Sequence, residues 1–120
     1  MTSRSAGGDE PFHVLRVLQS RARVSNLARL GRVADTLNRL DTGTLSEADR
    51  RRARDLTHQI VGSAGTFGYP YASQLASRLE EFFRRAEFDA ERRREAREWL
   101  SAIQADLEAT PSNRGDLDEE

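Results

Sequence analysis

The chain has 120 residues, 37% of them hydrophobic, and a net charge of −1. That length fits one domain, and a near-neutral charge is no electrostatic match for nucleic acid. With no cysteine there is neither a disulfide framework nor a thiolate metal site, and no run approaches the roughly 18 apolar residues of a membrane span.

The opening MTSRSAGGDEPF lacks the apolar stretch of a signal peptide, so a cytoplasmic location is expected. Residues 1–10 are small and polar and read as a disordered segment. Phe12, Val14, Leu15, Val17 and Leu18 then suggest a short additional helix covering one end of the fold. His13 within it has no acidic or histidine partner at ligand spacing.

The first long helix shows in Val24, Leu27, Leu30, Ala34, Leu37 and Leu40, which step by three or four. Asp41-Thr42-Gly43 ends it, with glycine suited to a helix C-terminus. Ser46 followed by Asp49 resembles a capping box with a shortened acidic partner, opening a second helix through Ala53, Leu56, Ile60, Ala64 and Phe67. Gly68 and Pro70 allow a tight reversal. A third helix follows in Ala72, Leu75, Leu79, Phe82, Phe83 and Ala86. Asp89 can cap a fourth, carried by Ala96, Trp99, Leu100, Ile103 and Leu107, and Thr110-Pro111 ends it. Residues 110–120 read as a disordered, acidic, solubilising tail.

Strand signals are nearly absent. Four segments with one apolar face each, joined by short connections, predict an all-α, antiparallel four-helix bundle over residues 11–109, with the short N-terminal helix added. All 19 basic residues are arginine, a bias that fits a compositional preference as well as anion recognition.

The stretch Thr57–Tyr69, THQIVGSAGTFGY, has a helical pattern yet holds Gly62, Gly65 and Gly68. An interior helical glycine costs about 1 kcal/mol relative to alanine. At about 100° per residue, Ala53, Leu56, Ala64 and Phe67 lie within about 40° of Ile60, whereas His58 falls about 160° away, facing solvent. Gly62 and Gly65 lie on the same outer face, one and two turns after His58. They strip side chains from the surroundings of the imidazole, which makes sense where a large partner must reach it. Val61 lies on the shoulder of the buried stripe. Other chemistries are not supported. There is no His-x-x-x-His pair for zinc, Ser63 lacks a nucleophile elbow, and no Gly-Lys-Ser/Thr makes a phosphate loop.

His58-Gln59-Ile60-Val61-Gly62-Ser63-Ala64-Gly65, followed by Phe67-Gly68, resembles the signature of histidine-containing phosphotransfer (HPt) domains, His-x-Leu-Lys-Gly-Ser-Ala with a further glycine downstream. Leu75, Ala76 and Leu79-Glu80 are similar to the family's next helix, and the resemblance covers about residues 11–109. It implies a four-helix bundle carrying a phosphoryl group on one exposed histidine, here His58, and passing it between receiver-domain aspartates. Such a protein is a phosphoryl carrier without independent turnover. Its partners are receiver domains of response regulators or hybrid histidine kinases, with no nucleic acid and no membrane, and a monomer is the expected state. It binds no cofactor of its own, the magnesium sitting on the receiver. Gln59, Val61, Gly62 and Gly65 are then the docking and access positions around His58.

One departure stands out: where the family places a lysine three residues after the histidine, this chain has Val61. Arg54, one turn before His58, is the candidate to supply part of the missing charge. The same departure supports an alternative, a degenerate HPt-like interaction module without phosphotransfer. A histidine-kinase dimerisation domain fits less well, because Gln59 and Ser63 occupy the places of its acidic residue and proline. An arginine-dependent nucleic-acid binder is disfavoured by the charge balance.

Overall fold

The computed structural model describes residues 2–111, with side chains from residue 11 onward. Its four helices are α1 (Thr2–Asp41), α2 (Glu47–Thr66), α3 (Pro70–Arg85) and α4 (Ala90–Leu107), joined by short turns. This is the all-α four-helix bundle expected from the periodicity. The acidic residues Asp116, Asp118, Glu119 and Glu120 lie outside the described residues.

The helix boundaries follow the punctuation closely. Ser46 caps α2, its Oγ accepting from the Asp49 amide at 3.0 Å. The reciprocal half of the box is not used, since the Asp49 carboxylate faces Arg39 at 3.6 Å and Arg52 at 3.7 Å. Glu47 in the same turn pairs with Arg50 and Arg51, and the Arg50 guanidinium holds its carboxyl at about 2. Gly43 and Gly68 take φ of +74° and +95°. The amides that follow them, on Thr44 and Tyr69, return to the Arg39 and Ala64 carbonyls at 2.9 and 2.8 Å. Both are six-residue closures that need a left-handed residue just past the helix end, which glycine occupies without a Cβ penalty. Asp89 caps α4 by accepting from the Arg92 amide at 2.9 Å. At the start of α3 Tyr69 offers no side-chain cap, and Asp106 of α4 reaches across to accept from the Ala72 amide at 3.0 Å.

The core is continuous through all four helices. Leu30, Val33 and Leu37 of α1 meet Ala53, Leu56, Ile60 and Ala64 of α2. Leu75, Leu79, Phe82 and Phe83 of α3 and Ala96, Ile103 and Leu107 of α4 complete it. Phe82, Phe83 and Phe88 close one end, with ring centroids 5.0–6.5 Å apart. Alanines at the α2–α3 seam (Ala53, Ala64, Ala72 and Ala76) let those helices pack closely.

The first helix departs from expectation in four ways. The residues read as a separate short helix are continuous with it, because Gln19 to Arg23 contains no breaker and extending a formed helix adds one hydrogen bond per residue. The backbone of residues 2–10, where composition suggested disorder, belongs to the same helix. Its 40 residues span about 60 Å at about 1.5 Å per residue, which accounts for a molecule 64 Å long. Phe12, Val14, Leu15 and Leu18 therefore project past the bundle and are exposed rather than covering its end. Val24, counted in the apolar stripe, is also exposed, while Val33, not counted, is fully buried. The true stripe runs Leu30, Val33, Leu37, with the polar Gln19 and Asn26 continuing it toward the N-terminus.

Candidate functional site

His58 sits near the middle of the outer face of α2, between Thr57, which is fully buried, and Gln59, which is exposed. Thr57 turns inward and donates its hydroxyl to the Ala53 and Arg54 carbonyls at 3.0 and 2.8 Å, so it needs no partner from the core. That inward turn fixes the register that points His58 out, with its side chain 72% exposed.

The imidazole is hydrogen-bonded to the neighbouring helix. Its Nδ1 lies 3.0 Å from Oε2 of Glu80 on α3, a carboxylate only 28% exposed. A carboxylate can only accept, so this contact requires the proton on Nδ1 and leaves the Nε2 lone pair bare in the neutral ring. The two ring nitrogens face roughly opposite ways. With Nδ1 turned toward α3, Nε2 faces away from Glu80.

A polar clamp joins α1 to α2. Asn26 of α1 is fully buried, and its Nδ2 donates to Ser63 Oγ at 3.1 Å. Its Oδ1 accepts from the Arg29 guanidinium at 2.7 Å, while Arg29 Nε donates to Gln59 Oε1 at 3.0 Å. Gln59, expected as a docking position, is thus held by α1.

The two glycines on the face differ. A Cβ added to Gly62 would meet nothing within 4 Å, so the surface one turn past His58 is open. A Cβ on Gly65 would lie 3.2 Å from Ser73 Oγ. Gly65 is exposed, and the absence of its side chain also leaves room for Ser73 of α3. Ser73 uses that room to donate to the Val61 carbonyl at 2.7 Å. Val61 itself is half-buried against the core cluster, so it presents no polar group beside the imidazole. Arg54 lies one turn before His58 with its guanidinium 3.4 Å from Asp55 Oδ1.

Sequence reasoning missed Asn26 and Arg29, and it quoted Glu80 only as part of a helix pattern. Their partners lie 22 to 37 residues away in the chain, beyond the reach of helical periodicity. The one available signal was Asn26 itself, a polar residue in line with the Leu30–Val33–Leu37 stripe.

Among the described residues no group of three His, Cys, Asp or Glu side chains could hold a metal ion, and no helix is long and apolar enough to cross a membrane. The family model described as the Hpt domain matches residues 19–113. The match begins at Gln19, the residue whose side-chain amide donates to the Phe67 carbonyl at the far end of α2. No curated protein and no solved structure matches the chain.

Proposed function

We propose, on the premise that this chain belongs to the Hpt domain family, that it is a phosphorelay carrier and that His58 is its phosphoacceptor. The observation that carries this reading is the pairing of an exposed imidazole with Glu80 at 3.0 Å, which commits Nδ1 and frees Nε2.

The step follows from that geometry. The Nε2 lone pair attacks the phosphorus of a receiver's aspartyl phosphate. The N–P bond forms as the P–O bond to the carboxyl breaks, and the aspartate carboxylate leaves with the electron pair. The ring becomes a phosphoimidazolium that keeps its Nδ1 proton. Glu80 then faces a cationic ring, so its carboxylate stabilises the product and the transition state leading to it. No general base is needed, because the attacking nitrogen carries no proton. Reversal onto a second aspartate uses the same contacts.

Phosphoryl transfer depends mainly on positioning and on electrostatic stabilisation. Helix α2, buried along Ala53, Leu56, Ile60 and Ala64, supplies the positioning, and Gly62 leaves the open surface on which a receiver can land. On this reading the magnesium of the reaction belongs to the receiver. Arg54 is a second cation at the N-terminal side of His58, and its closeness to Asp55 makes its expected contribution small. The chain itself turns nothing over; it accepts and returns a phosphoryl group. Its partners on this reading are receiver domains of response regulators or hybrid histidine kinases.

Val61, standing where the family has a lysine, favours a second reading, a bundle that binds receivers without carrying phosphate. One experiment separates the two: exposure of the protein to phosphoramidate, then to a receiver. The carrier reading expects a label that is acid-labile and base-stable, absent from His58→Gln, and transferable to the receiver's aspartate. A folded protein that binds receivers but takes no label from them or from phosphoramidate would establish the second reading.

A further inference from the structure

Six arginines among the described side chains make no ion pair with a carboxylate within 4.0 Å, and among them Arg29 alone is clamped beside the phosphoacceptor helix. Its partners are two neutral amides, Asn26 and Gln59. They fix the guanidinium without neutralising it. Asn26 is in turn buried and tied to Ser63, so one half of the clamp rests on the core, while the other half, Gln59, is exposed. Such an arrangement spends a fully buried asparagine on orienting one cation.

The position of the cation is informative. Gln59 follows His58 directly, and Gly62 lies four residues after His58 and three after Gln59. The i, i+3 and i+4 neighbours of a helix share one patch of surface, so the space left open at Gly62 lies between the imidazole and the Arg29 clamp. Glu80 on α3 engages Nδ1, which leaves Nε2 as the ring nitrogen not taken up by that helix. A phosphoryl group on Nε2 brings two negative charges and three acceptor oxygens. Guanidinium matches such oxygens with paired donors and stays charged at any working pH.

We infer that Arg29 is the fixed cation of the phosphoryl site, donating N–H bonds to the oxygens of the group carried on His58 Nε2. The inference rests on the reading of His58 as phosphoacceptor. No atom passes to or from Arg29; it stabilises the charge that arrives when the N–P bond forms. It also assigns α1 a part in the chemistry, alongside α2 and α3.

The test uses the whole chain and no partner protein. Wild type, Arg29→Gln and Arg29→Lys are labelled with phosphoramidate, and the phosphohistidine is then left to hydrolyse in buffer. Arg29→Gln is expected to lower the labelling rate and shorten the lifetime of the label by about tenfold, the scale of one charge-assisted hydrogen bond. Arg29→Lys, which keeps the charge and loses the fork, is expected to recover part of both. A Gln variant that melts as wild type does yet matches its labelling rate and lifetime overturns the inference and leaves the carrier reading standing. A Lys variant as impaired as Gln also overturns it, because the arginine then acts only by holding Gln59. Wild type that takes no label at His58 overturns both the inference and the reading beneath it.

Discussion

Replacing Glu80 with glutamine keeps the length of the side chain and a hydrogen-bonding group 3.0 Å from the ring but removes the charge that selects the Nδ1 proton. The magnitude follows from exposure. The imidazole is 72% exposed and the carboxylate 28%, so the pair is closer to a surface contact than to a buried one. Exposed pairs contribute up to about 1 kcal/mol, whereas deeply buried ones are worth several times more. Loss of about 1 kcal/mol from the transition state slows the step about fivefold. Glutamine can also donate its N–H₂ to an unprotonated Nδ1, so tautomer selection is lost and a share of the imidazoles expose the wrong nitrogen. The assay is initial-rate labelling by phosphoramidate, read as acid-labile phosphate, with a melting curve to establish that the bundle is intact. Since Glu80 lies at the surface edge of α3, the melting temperature is expected to change little. A Glu80→Gln protein that labels at the wild-type rate would refute the claim that this carboxylate prepares the ring.

Other positions give independent checks. A Cβ added at Gly62 meets nothing within 4 Å, so Gly62→Ala should raise stability by about 1 kcal/mol through helix propensity; Gly62→Leu, whose longer side chain enters the open surface beside His58, should slow labelling by phosphoramidate and slow transfer to a receiver still more. Ala86 ends α3 at φ +57°, where a Cβ is strained, and Ala86→Gly should stabilise the fold by about 1 kcal/mol in a urea titration. Asp106→Ala removes the only cap on the Ala72 amide and should cost about 1 kcal/mol by the same method. Glu47, held at about 2 by Arg50 against an ordinary 4.5, contributes stability that is present above pH 4.5 and is lost as the pH falls toward 2. The melting temperatures of wild type and Glu47→Gln should therefore differ at neutral pH and converge in acid.

The architecture was largely legible in the sequence because each helix buries one face, and such faces repeat every three to four residues. Ser46, Gly43, Gly68 and Asp89 marked their ends because capping is a local matter of one side chain or one backbone angle. His58 and the open Gly62 could likewise be placed by rotation about a single helix. What periodicity could not supply was the relation between helices. Whether Val24 or Val33 faces inward depends on where α1 leaves the bundle, and Val24 lies on the side turned away from α2 and α4. Gly65 looked outward on the wheel of α2, yet α3 runs close enough to put Ser73 against it. Glu80 and Arg29 approach His58 and Gln59 from two other helices, and only the packing angle and register of the bundle decide that they meet. The polar part of the site was hidden for the same reason that the apolar part was plain: a hydrogen bond between helices has no period along the chain.

The central claim is that Glu80 leaves Nε2 of His58 as the nucleophile. It is tested most directly by determining which nitrogen carries the phosphate, from the ring nitrogen and proton shifts of uniformly ¹⁵N-labelled protein after phosphoramidate treatment. The account predicts a single phosphorylated imidazole, that of His58, substituted at Nε2 and protonated at Nδ1. Phosphate on Nδ1, on His13, or on no histidine at all would contradict it.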